Sequence, residues 1–233
     1  MRPLATVTAT AVFVLAAILI PEPAHADRFE VGLGTSSHFL ASSSVDAVSE
    51  DGMTAASLSA AMRVPWLRLA GLDAALEASL DTGSLGGRSF QTMSTETSLR
   101  VTTVGVRVRR PVWGRIVGHA GAGLGVARVG LRLDDHSSRV DPVSDQGNAV
   151  AGYIGGGGDV MLARVRRDDG SHKFALGLRA ELGYQMISSV SLLGSPESRG
   201  EDDDVIRISA LATSLGELDL SGWTMRFAVV TRF

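Results

Sequence analysis

The 233-residue chain sets 22 Lys and Arg against 25 Asp and Glu, a formal charge of −3, which argues against a nucleic-acid partner, since that would call for a basic patch or stripe. It has no cysteine, so no disulfide staples it and its stability must come from a core or from a closed hydrogen-bond network. Lys173 is the only lysine, a bias read as genomic base composition rather than chemistry.

The chain begins with an export pattern. Met1-Arg2-Pro3 is a short basic start, Ala11 to Ile20 is an apolar run, and Ala24-His25-Ala26 is a small-x-small cleavage site, which together predict a signal peptide over 1–26. The run is shorter than the roughly 20 residues of a spanning helix. About 207 residues, 27–233, then remain for one domain. No later stretch is apolar enough to span as a helix, so a membrane role falls to strands.

Eight segments alternate in polarity. Phe29 to Leu40 sets Phe29, Val31 and Leu33 against Glu30, Gly32 and Gly34. Thr54 to Val64 sets Ala56, Leu58, Ala60, Met62 and Val64 against Ser57, Ser59, Ala61 and Arg63, and Pro65-Trp66 is expected to break it. Gly71 to Asp81 sets Leu72, Ala74, Leu76, Ala78 and Leu80 against Asp73, Ala75, Glu77, Ser79 and Asp81. Its leucine spacing also suits a helix, so the strand assignment leans on its neighbours.

The fourth segment, Glu96 to Arg109, begins with Leu99 and Val101 on one face and ends with Val104, Val106 and Val108 on the other, which predicts a bulge near Thr102-Thr103. The fifth, Arg115 to Leu133, carries Leu124 and Val126 on one face and then changes phase to Val129, Leu131 and Leu133. The sixth, Ala149 to Val165, opposes Val150, Ile154, Val160 and Leu162 to Tyr153, Asp159 and Met161. The seventh, His172 to Met186, alternates most cleanly, and Gly222 to Phe233 is the eighth.

Links of two kinds alternate between these segments. Pro65 to Ala70, Arg110 to Gly114 and Arg166 to Ser171 are short; Ala41 to Met53, Thr82 to Thr95, Asp134 to Asn148 and Ile187 to Ser221 are long. Arginines, including Arg63, Arg68, Arg109, Arg110, Arg115, Arg164, Arg166 and Arg167, gather at the short-link end. Acids, including Asp46, Glu50, Asp51, Asp141, Asp145 and the run Glu201 to Asp204, lie in the long links. Tight turns on one side and long loops on the other are the organisation of a membrane β-barrel.

The inward set of such a barrel includes Glu30, Arg63, Asp81 and Asp159 together with a lumen charge network of Asp73, Glu77, Arg179, Glu181 and Arg226. Eight strands leave an interior only just wide enough for side chains, so opposite charges there are expected to pair. Gly121-x-Gly123-x-Gly125 and Gly155 to Gly158 lack the strand-to-helix context of a phosphate loop and are read as space-saving. His38, His119, His136 and His172 are scattered, without metal-ligand spacing, so neither metal nor cofactor is expected. Asp134-Asp135-His136-Ser137-Ser138 places an acid, a base and a nucleophile together, at what reads as a polar loop entrance.

The last eleven residues alternate strictly, Trp223, Met225, Phe227, Val229, Thr231 and Phe233 on one face, and stop on an aromatic. This resembles the closing strand of bacterial outer-membrane β-barrels, whose assembly signal reads polar-x-Gly-x-x-apolar-x-aromatic. Here Arg226 and Phe233 occupy its ends, while Ala228 stands in the glycine slot and Thr231 in the apolar slot, two departures from the pattern.

As a whole the mature chain resembles small outer-membrane barrels of the OmpA-barrel and OmpX kind. The resemblance implies an all-β fold, an eight-stranded antiparallel transmembrane β-barrel in the cell outer membrane. It also implies contact with outer-membrane lipid and lipopolysaccharide and assembly by the barrel-assembly machinery. Families of this shape mostly act through structural support or through their outer loops, so the expected role is noncatalytic, with an extracellular partner that the sequence does not identify. The alternatives are a lipid-modifying enzyme similar to lipid A deacylases, built on His136 with Ser137 or Ser138, and a narrow pore.

Overall fold

The computed structural model describes residues 28–40, 52–69, 72–89, 93–135, 143–166, 172–196 and 213–233. The signal-peptide expectation lies outside them. Among the described residues there are ten strands and no helix: β1 (Phe29–Leu40), β2 (Met53–Leu69), β3 (Leu72–Ser89), β4 (Met93–Trp113), β5 (Ile116–Asp135), β6 (Val143–Arg166), β7 (His172–Ile187), β8 (Val190–Pro196), β9 (Thr213–Leu218) and β10 (Gly222–Arg232).

Eight of them close a ring in the order β1-β2-β3-β4-β5-β6-β7-β10, and β10 pairs antiparallel with β1 from Glu30↔Arg232 to Leu40↔Gly222. Phe29 and Phe233 complete the seam by exchanging backbone bonds of 3.3 and 2.9 Å. Closure leaves no unpaired edge around the ring, the condition for strands in hydrocarbon, where backbone groups find no water. β8 and β9 form a hairpin attached to the rim through Val143↔Pro196 and Ser144↔Ser195 of β6 and β8.

Alternation aims apolar side chains outward around this ring; Leu33, Val104, Leu124, Val150 and Phe227 are all more than half exposed. Aromatic pairs bracket the band on one strand pair. Tyr184 and Trp223 stand opposite in register with ring centroids 5.5 Å apart, and Phe174 and Phe233 meet at 5.8 Å at the other end. Ten residues separate Trp223 from Phe233, which at about 3.4 Å per residue and a tilt of roughly 40° is a rise of about 26 Å. That equals the height of an outer-membrane apolar band, about 25 Å.

The bulge expected at Thr102-Thr103 is absent. β4 pairs with β5 without interruption from Met93 to Pro111, so Leu99 and Val101 face inward while Val104 and Val106 face outward. β5 likewise keeps its register through Val126 and Val129, and Val129 is fully buried. Along this stretch of β4 and β5 the pleat does not slip; its surroundings exchange. Beside the band the outside is apolar and the inside polar, and beyond it the outward positions become Arg100, Arg128 and Arg132 while the interior becomes an apolar core.

Other expectations are corrected with it. Pro65 does not end β2, which runs on to Leu69 with a register slip between Arg63 and Arg68. Val64, expected on the outward face, is buried at 7% exposure beside this slip. Most of Thr82 to Thr95 is strand, since β3 continues to Ser89 and β4 starts at Met93. β5 and β6 likewise absorb both ends of Asp134 to Asn148, and Ile187 to Ser221 contains β8 and β9. These segments are polar outside and apolar inside, so they satisfy a strand in water as the band satisfies one in lipid.

Candidate functional site

Among the described residues, chemistry-bearing side chains converge in the barrel interior, which is built in two layers. Toward the short turns, inward positions of β1, β3, β4, β6, β7 and β10 supply five carboxylates, Glu30, Glu77, Asp81, Asp159 and Glu181, and five arginines, Arg107, Arg109, Arg179, Arg226 and Arg232, in one connected ion-pair network. Glu30 is its hub. Its carboxylate accepts from Arg107 at 3.2 Å, Arg109 at 2.7 Å, Arg179 at 2.5 Å and Arg232 at 2.7 Å. Asp159 accepts from Arg179 Nε at 2.7 Å and from Arg232.

Glu181 is the second hub, receiving Arg107 at 3.1 Å, Arg226 at 2.9 Å, His119 Nε2 at 3.0 Å and the Tyr153 hydroxyl. Tyr153 reaches it because Gly155 and Gly183 lack a Cβ, which would lie 2.0 Å from its hydroxyl and 2.4 Å from its ring respectively. Its ring also supports Arg226, whose guanidinium carbon lies 5.3 Å from the centroid. The space-saving reading thus acquires a particular object at these two glycines. A residual cavity of about 20 Å³ among Glu77, Ser79, Thr103, Gly121, Tyr153 and Arg226 has room for about one water.

The second layer, toward the long-loop end, is apolar. Met53, Leu99, Val101, Val129, Ala151 and Ile187 of the ring pack there with Val190, Leu192 and Leu218 of the hairpin. Ions leaving the charged layer in that direction would meet this mostly apolar packing, interrupted by the buried hydroxyls of Thr95 and Thr97, at a cost of several kcal/mol.

Of the residues expected in the lumen network, Glu77, Arg179, Glu181 and Arg226 lie in it. Asp73 pairs instead with Arg63 at 2.5 Å, half-exposed at the short-turn end. Arg107, Arg109, Arg232, His119 and Tyr153 complete the network without having been singled out. Parity carried the signal, since Arg107 and Arg109 alternate with Val104, Val106 and Val108, and Arg232 alternates with Phe233.

At the carboxyl end, Ala228 faces Gly34 across the seam, where a Cβ on Gly34 would lie 2.6 Å from the Ala228 Cα and 1.8 Å from the Phe227 carbonyl oxygen. The seam therefore does require a glycine, and it sits on the partner strand. Thr231 Oγ1 donates to the Val31 carbonyl at 3.3 Å.

His136, Ser137 and Ser138 lie outside the described residues. Within them one Ser-His-acid group exists: Ser36 Oγ lies 3.2 Å from His38 Nε2 and donates to Asp81 Oδ1 at 3.3 Å. Nucleophilic activation needs the histidine between hydroxyl and carboxylate. Here the serine occupies the middle, all three residues are buried, and Asp81 is engaged by Arg226 at 2.7 Å.

No family model matches the sequence, and no curated protein matches it. Among solved structures the chain is similar to Neisserial surface protein A (NspA), at 12% identity with a TM-score of 0.47 over 88% of this chain and 95% of that one. It is also similar to a major outer membrane protein from Thermus thermophilus, at 9% identity with a TM-score of 0.50 over 88% of this chain and 99% of that one. At 9% identity the likeness to the Thermus protein is one of fold, and the fold, a closed ring of eight antiparallel strands, is that of the small outer-membrane β-barrels.

Proposed function

We propose that this is a noncatalytic barrel of the bacterial outer membrane, whose role is structural or interactive and is exercised by the part of the wall and the loops that project beyond the lipid. The observation that carries the reading is the exchange of polarity along an unbroken register: Leu124 and Val126 face outward in the band, Val129 and Leu131 face inward beyond it. A protein immersed in water throughout its height has no use for that exchange, whereas one that leaves a bilayer partway up requires it. The lipid, lipopolysaccharide and assembly-machinery partners follow from this setting.

A paired charged layer under an apolar layer supports a plugged interior rather than a pore. The order Asp81–Ser36–His38 does not favour hydrolysis. The acidic run Glu201 to Asp204, with Asp46, Glu50 and Asp51, belongs to segments outside the described residues and is assigned to the outer face, where loops on a rigid scaffold do the binding.

Because the chain has no cysteine, single-cysteine variants report sidedness cleanly. Glu217→Cys, on the exposed face of β9, should react with a membrane-impermeant maleimide on intact cells; Arg115→Cys, in the β4–β5 turn, should react only after the outer membrane is permeabilised. Equal labelling of both on intact cells, or recovery of the protein in the soluble fraction, would overturn the proposal.

A further inference from the structure

Outside the barrel, at the height where the band ends, β4, β5 and β6 carry two successive rows of outward residues. The last apolar row is Thr102↔Val126↔Val150 and the next is Arg100↔Arg128↔Asn148. Val126 and Val150 are 60% and 66% exposed, which makes them hydrocarbon-contacting in a barrel of this kind. Arg100 and Arg128 are thus direct cross-strand partners on one face, both exposed.

Like charges in that position repel and weaken the strand pair. No ion pair compensates either guanidinium among the described residues; Arg128 donates to the Gln146 side-chain carbonyl, which holds it in place, while the charge stays unneutralised. The contrast with the interior is direct, because all five lumen arginines have carboxylates. An unopposed cation pair retained directly above an apolar wall fits a ligand with an anionic head and hydrocarbon tails.

We propose that Arg100 and Arg128, with Asn148 beside them, form an outer-wall site for a phosphate of the outer-leaflet glycolipid, lipid A, whose acyl chains lie down against Val126 and Val150. Guanidinium groups bind phosphate through bidentate charge-assisted hydrogen bonds, and here the phosphate also relieves the repulsion between them. The ligand is the lipid rather than free phosphate because the pair stands at the boundary of the band, where a phosphate tethered to acyl chains is held at high local concentration. This rests on the membrane placement proposed above and adds to it a ligand class and named residues.

The test uses the full mature chain in detergent, reading the temperature at which the compact unboiled band on a denaturing gel is lost. Diphosphoryl lipid A is expected to raise that temperature for the wild type, dephosphorylated lipid A to raise it much less, and inorganic phosphate at equal concentration to leave it unchanged. Arg100→Gln/Arg128→Gln should still show the compact band, because both side chains are exposed, and should lose the lipid A effect. Arg100→Lys/Arg128→Lys should keep part of it.

An equal lipid A effect in the glutamine variant would overturn the site, as would a full effect from inorganic phosphate alone. A wild type with the compact band and no lipid A effect overturns the site while leaving the barrel standing. A wild type with no compact band overturns both.

Discussion

Arg179 and Glu30 meet at 2.5 Å across the barrel interior, from strands β7 and β1 that are separated in the wall by β10. The contact spans positions 149 residues apart, so it forms only when the ring has closed. Lumen charge and ring closure therefore stabilise one another. Among the described residues Arg109 pairs with Glu30 alone, Arg107 also reaches Glu77 and Glu181, Arg179 and Arg232 also reach Asp159, and the Glu30 carboxylate is tolerable inside because four guanidinium groups surround it.

Removing the hub is accordingly costly. Glu30→Ala leaves four buried arginines short of a partner and is expected to destabilise the barrel by about 3–5 kcal/mol, the range for breaking a buried pair. Arg63→Ala breaks a pair whose side chains are 29% and 38% exposed, where solvent screening limits the loss to about 0.2–1 kcal/mol. Urea titrations followed by loss of the compact gel band should separate the two variants clearly; equal midpoints would show that the lumen network does not hold the fold.

The exchange of polarity along β5 predicts opposite failures for neighbouring positions. Leu124→Arg puts a charge on the lipid face, where about 2–4 kcal/mol is lost near the midplane, and should reduce the amount inserted in membranes. Val129→Asp buries an unpaired carboxylate in the outer apolar layer, so insertion should persist while added protease nicks the β8–β9 hairpin and the outer ends of β5 and β6. Normal insertion of the first variant with failure of the second would place the hydrocarbon at the wrong height.

Phe233 should matter more for assembly than for final stability. Its ring is half-exposed and rests on Phe174 at the short-turn end, where its loss leaves no cavity. Deleting it is expected to lower the quantity inserted in cells while the inserted fraction keeps nearly the wild-type urea midpoint. Undiminished insertion would make the likeness of the last strand to an assembly signal accidental.

The plugged interior predicts the absence of steady single-channel steps in planar bilayers. The charged layer is paired and the apolar layer beyond it includes the fully buried Val129, Ala151 and Leu192. Regular, voltage-stable conductance steps from pure protein would show a continuous path that the side chains as packed do not leave.

How legible all this was in the sequence varied with height in the barrel. In the band, period two with apolar residues outward carries the strand signal, though the leucines of β3 also suit a helix, and β1 and β7 were legible almost to the residue. At Leu99, Val101, Val129 and Leu131 the same apolar residues face the lumen, and a reading that equates apolar with outward must invent a bulge. Pro65 misled similarly, because a ring strand can carry a proline where its pairing slips.

The network was half legible. Acids and arginines of β3, β7 and β10 stood out by face, whereas Arg109 was counted with the basic short-turn end and Arg107 was not singled out, although Val106 and Val108 fixed their direction. The partners across the lumen, such as Glu30 with Arg179, follow from ring closure and not from local spacing. The hairpin β8–β9 was illegible for a different reason: only a few alternating residues on each side separate it from an acidic stretch, and its burial comes from packing on Ala149, Ala151 and Ile187.

The most direct test of the account is the electrophoretic mobility of the mature chain, extracted from the outer-membrane fraction, on a denaturing gel with and without boiling. A closed eight-stranded ring keeps its backbone pairs in detergent until heated, so the unboiled protein should run as a distinct compact band that boiling converts to the full-length position. Identical mobility of the two samples, from protein that fractionates with the soluble extract, would contradict the barrel itself.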